Sequence, residues 1–189
     1  MGRTVVGIGE ALEDVEIGFR QLEFTIKLLS FCELGNVSPS AFDSDHLVQL
    51  RRGSLRFPSG HFSTADDLNR AASIAVVTAF SASALVLDQA FDAVGMKANP
   101  EATDNVGQLR VLVYMVRCAH AHRIEDPHWE VRGKYARTLN VHVGDVTISL
   151  DLRPLHGQAF DIERDIGGYV NWYRIRDTVV QALSAACAA

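Results

Sequence analysis

The sequence predicts a mainly α fold: a helical bundle of long helices with a C-terminal β-hairpin and final helix. Three patterns predict it. Apolar residues recur at alternating spacings of four and three near the N-terminus. A long uncharged run fills residues 71–87. Two stretches of strict alternation flank Gly144-Asp145. A chain of 189 residues, 48% of them apolar, can bury a sizeable core and fits one compact domain.

The first element is the clearest. Ile8, Leu12, Val15, Phe19, Leu22, Ile26 and Leu29 fall on one helical stripe, with Glu10, Glu13, Asp14, Arg20, Glu23 and Lys27 mostly outside it. A helix over residues 4–33 follows, closed by Gly35 and followed by Pro39. A stripe this narrow serves a bundle face or a dimer seam. Residues 35–63 read as loop, with room for a short helix around residues 44–51. Arg51, Arg52 and Arg56 make the most basic short patch, either a solvated surface or the lining of a phosphate groove.

A second long helix starts at Ser63 or Thr64 as N-cap and stops at Gly95. Asp66 and Asp67 sit in its first turn, where the helix dipole favours anions. Its uncharged run is shorter than the ~20 residues of a membrane span. Asp66, Asp67, Arg70, Asp88 and Asp92 flank that run, so it reads as a buried helix of a soluble protein. A third helix follows Pro100. Val106, Leu109, Leu112, Val113 and Val116 mark one face, and Val111, Tyr114, Met115 and Cys118 fill much of the rest. A helix apolar nearly all round is central, and Pro127 breaks this one after Asp126.

Leu139, Val141 and Val143 then alternate, as do Val146, Ile148, Leu150 and Leu152. The Gly144-Asp145 between them predicts a hairpin. A last helix follows Gly167-Gly168, with Tyr169, Trp172 and Tyr173 expected to pack it onto the hairpin. Residues 1–130 therefore read as the bundle. Residues 131–189 read as hairpin plus helix packed on it.

A formal charge of −5 argues against a surface built for indiscriminate nucleic-acid binding. Cys32, Cys118 and Cys187 are far apart and form no CxxC pair, which fits a reducing, cytoplasmic setting. The N-terminus carries Glu10, Glu13, Asp14 and Glu16 where a signal peptide needs an apolar core. No Gly-rich phosphate loop is present, and no cofactor is implied.

The chemistry concentrates in VRCAHAHRI, residues 116–124, where the apolar helix ends in one arginine and two histidines. His120 follows Arg117 at i+3 and shares its side of a helix. His122, at i+5, points away at about 100° per residue unless the last turn loosens. The spacing from Arg117 to His122 fits R-x4-H. With the order of helices, residues 4–125 resemble the HEPN superfamily, α-helical bundles with an R-x4–6-H motif at a helix end. The resemblance implies a homodimer and metal-independent cleavage of RNA. Arg117 would stabilise phosphate charge, His122 would act as acid or base, and His120 would stand in for it. A histidine with a pKa near 6.5 exchanges protons at neutral pH, and an arginine offers permanent planar donors to phosphate oxygens. Active members commonly carry a polar residue after the Arg, where this chain has Cys118. The alternative is a non-catalytic HEPN-like interaction module, a dimeric scaffold or a partner-binding protein of unspecified partner.

Other readings are bland. Cys118, His120, His122 and His128 lack an HExxH motif or a second Cys pair for zinc. Cys118 reads as a core thiol. Asp88, alone in a neutral run, needs a partner if buried, and Arg110 and Arg117 are the candidates.

Overall fold

The computed structural model describes residues 7–121 and 124–188. Among these residues the fold is mostly helical, with two separate antiparallel strand pairs. The elements in order are helices α1 (Ile8–Glu33) and α2 (Pro39–Phe42), strands β1 (His46–Leu50) and β2 (Gly53–Phe57), and helices α3 (Ala65–Ala93) and α4 (Asn105–Ala119). A 3-10 turn (Gly133–Tyr135) precedes strands β3 (Thr138–Val143) and β4 (Val146–Asp151) and helices α5 (Ile162–Ile166) and α6 (Gly168–Ala188). Contacts divide the chain into two units: residues 20–79, and residues 1–19 together with 80–189. Both α1 and α3 contribute to each.

In the unit of residues 20–79, Cys32 of α1 packs on Leu68 and Ala72 of α3, with Leu28, Leu29, Val37 and Phe62 around them. Within residues 44–51, where the sequence suggests loop or a short helix, His46–Leu50 form a strand instead. His46, Val48 and Leu50 alternate with Leu47 and Gln49, and the chain turns back at Arg51-Arg52. Two carboxylates hold the base of this hairpin. Asp43 accepts from the Gly60 amide at 2.7 Å, and Asp45 accepts from the Ser59 amide at 2.8 Å and from Arg56. Asp43 and Asp45 thus cross-tie the two ends of a segment that has little core of its own.

In the other unit α4 is central, as expected: Leu109, Val111, Leu112, Val113 and Val116 are fully buried. Its N-cap Asp104 accepts from the Gly107 amide at 2.8 Å. Strands β3 and β4 pair around Gly144, whose φ of +60° at the first turn position is the type II′ arrangement that glycine favours. Leu139, Val141, Val143, Ile148 and Leu150 face inward. The free edge of β3 is covered by side chains of α4. Asn105 exchanges both of its amide groups with the backbone of His142 (3.0 and 2.8 Å), and Gln108 accepts from the Asn140 amide at 2.9 Å.

Two expectations change in this unit. α4 ends at Ala119, well before Pro127. The reason is that His120 leaves helical geometry with ψ near −1° and the Ala119 carbonyl accepts from the amide of His128 at 3.1 Å. Helix α6 does meet β3, and Trp172 also reaches the other helices. Its ring lies 4.8 Å from Phe80 and 6.1 Å from Phe19, and its indole donates to Ser83 at 2.9 Å. Cys118 is half-buried rather than in the core.

Helix α3 is long and apolar enough to cross a membrane by length and composition. Its Ala72, Val76, Ala79, Phe80, Ser83, Ala84, Leu87, Ala90 and Phe91 are nevertheless buried at spacings of three and four.

Candidate functional site

Helix α4 delivers Arg117 and His120 to its C-terminal end, where the segment 127–129 runs antiparallel to 157–160. Trp129 donates its amide to Gln158 at 2.9 Å, and Phe160 donates to Pro127 at 2.9 Å. This ladder brings Trp129 and Phe160 beside the helix end. The Trp129 indole is anchored on Asp165 at 2.8 Å.

His120 points into that aromatic surrounding. It is 5% exposed, with Phe80 and Phe160 at 5.1 and 5.0 Å between ring centres. Its Nδ1 and the Ser81 hydroxyl share a hydrogen bond of 2.8 Å. Its Nε2 has no hydrogen-bond partner among the described residues. Burial among apolar rings disfavours the imidazolium and lowers the pKa to about 4. At neutral pH the ring is uncharged and shielded from solvent.

Arg117 has other neighbours. Its Nε lies 3.9 Å from Asp88, a long ionic contact, and its side chain is 39% exposed. The close partner of Asp88 is Arg110, at 2.5 Å and almost fully buried. Arg110 also donates to Asp92 at 3.1 Å and to the Met96 carbonyl at 2.9 Å, and lies over the rings of Phe91 and Tyr114. Each edge of its guanidinium is used, while the Arg117 side chain is only partly covered. The Cys118 sulfur beside Tyr114, together with burial, pushes that phenol up to about 12.

His122, expected to act as acid or base, lies outside the described residues. Arg117 and His120, expected to share one side of the helix, serve different surroundings: an ionic cluster on one hand, an aromatic pocket on the other. Ser81 and Phe160, which fix His120, were not singled out in sequence. Ser81 is one of several serines and alanines in α3, and Phe160 lies in an irregular segment, so neither carried a local signal.

The chain matches no family model, no curated protein and no solved structure. Its chemistry is therefore read from its own residues.

Proposed function

We propose that this chain is a non-catalytic helical interaction module. The observation that carries the reading is the surface of residues 20–79. There Phe24, Phe31, Leu34, Phe42, Leu47, Val48, Leu50, Leu55 and Phe57 are all exposed. Uncovered large apolar side chains gathered in one part of a chain mark a place where another surface docks. The burial of His120 supports the same reading, since a shielded neutral imidazole is a poor proton donor to an external phosphodiester.

A second reading is favoured by one observation: Arg117 is 39% exposed while Asp88 is already held by Arg110. A partly exposed guanidinium suits a phosphate. On this reading the long helices form a HEPN-like bundle, dimeric and cytoplasmic, and Arg117 with His122 cleaves RNA without a metal.

One assay separates the two. Purified protein is incubated with RNA in EDTA, alongside Arg117→Ala and His122→Ala. The module reading expects no cleavage above buffer. Cleavage that survives EDTA and falls by roughly 10²–10⁴ in both variants overturns it in favour of the ribonuclease.

A further inference from the structure

Strands β1 and β2 form a two-stranded sheet of their own, with every residue of both strands exposed. The register sets Leu50 against Gly53, Val48 against Leu55 and His46 against Phe57, around Arg51-Arg52. In a hairpin with a two-residue turn, the pair flanking the turn is hydrogen-bonded, and bonded and non-bonded pairs alternate. Leu50, Val48 and His46 therefore direct their amides and carbonyls to β2. Leu47 and Gln49 direct theirs outward, where no backbone group of another described element meets them.

An isolated hairpin is marginal in water, and a flat uncharged edge is a template for a further strand. β1 has such an edge: His46-Leu47-Val48-Gln49-Leu50 contains no Asp, Glu, Lys, Arg or Pro. The outer edge of β2 carries Arg56, ion-paired with Asp45, and is guarded by that charge.

Charge decides which strand fits. Asp43 and Asp45 precede β1, and Arg51 and Arg52 follow it. Two copies paired in parallel would set Asp against Asp and Arg against Arg. Two copies paired antiparallel about Val48 set Leu47 against Gln49 of the other copy, and the reverse, so that all the outward backbone groups of the two strands meet. The same register carries Arg51 of each copy to Asp45 of the other. Asp45 has capacity for this, because a carboxylate offers about four acceptor positions and three are used, by the amide and side chain of Ser59 and by Arg56.

We propose that β1 pairs antiparallel with β1 of a second copy of this chain, centred on Val48, in a four-stranded sheet ordered β2-β1-β1-β2. The contact is self-complementary, as a two-fold dimer requires. Val48, Leu50, Leu55 and Phe57 share one face of the hairpin, and pairing joins the two sets into one apolar strip. The inference rests on the interaction-module reading and names its partner.

The test uses the full chain. Light scattering across a concentration series shows a monomer–dimer equilibrium. Val48→Cys forms a disulfide-linked dimer under mild oxidation, because a non-hydrogen-bonded antiparallel pair holds Cα atoms about 4.5 Å apart, within disulfide range. Ser54→Cys, on the outer edge of β2, does not. Gln49→Pro removes one outward N–H per copy without touching the bonds to β2 and raises the dissociation constant by roughly tenfold or more, with unchanged circular dichroism. Arg51→Asp weakens the dimer in the same direction. A chain that stays monomeric at every concentration overturns the proposal. So does a Val48→Cys variant that cross-links no faster than Ser54→Cys, an unaltered dimer in Gln49→Pro, or assembly beyond the dimer. Cleavage of RNA that depends on Arg117 would remove the module reading and leave the cross-linking result to stand or fall separately.

Discussion

At the scale of single residues, His120 and the two arginines of α4 define what the helix end can do. His120 is buried neutral, with its pKa lowered from an ordinary value near 6.5 to about 4. The unfolded chain therefore takes up this proton first. The stability gained by burying the neutral ring is complete above about pH 6.5 and drains away as pH falls toward 4, by at most about 1.4 kcal/mol per pH unit. Urea unfolding between pH 7 and 5 should show that slope in the wild type and a flatter one in His120→Leu. Arg110 and Arg117 differ as sharply. Arg110→Met strands Asp88 in the interior and should cost about 3–5 kcal/mol. Arg117→Ala, whose partner sits 3.9 Å away at a half-open surface, should cost no more than about 1 kcal/mol. Equal losses for the two in urea melts would show that Asp88 is shared evenly.

At the scale of elements, close approach and edge protection set the architecture. Gly18 of α1 faces α3, where an added Cβ would come within 2.9 Å of the Val86 side chain. Gly18→Leu should force the helices apart and cost about 1–3 kcal/mol, read as a lowered midpoint of thermal unfolding. The two hairpins show two answers to the same problem. The amides of Asn105 and Gln108 meet the edge of β3, and Gly144 supplies its turn. Among the described residues, no backbone group covers the outer edge of β1. The second hairpin was legible because Gly144-Asp145 interrupts clean alternation. The first was not, because Arg51-Arg52 is not a favoured turn pair and its apolar residues do not alternate cleanly on both sides of it.

At the scale of the whole molecule, function turns on which surfaces are left open. The ribonuclease reading places its chemistry at the end of α4, where RNA cleavage in EDTA decides. The exposed side chains of residues 20–79 direct it to β1, where cross-linking at Val48 decides. The outcomes are independent, so a dimeric protein without nuclease activity is a defined result. It would be a scaffold assembled through strand pairing.

The sequence by itself determined the elements whose signal is periodic. The stripe from Ile8 to Leu29, the uncharged run of α3, the all-round apolar α4 and the alternation about Gly144 each bury a surface that repeats along the chain, and repetition is visible in one dimension. It also narrowed the partner of Asp88 to two arginines. Only the tertiary structure decided between them, since the choice depends on which turn of α4 passes Asp88 in α3. Likewise only the fold decided that His120 turns inward. Its partner Ser81 and its neighbouring ring Phe160 are each about forty residues away in opposite directions along the chain, and no local pattern encodes a contact at that separation.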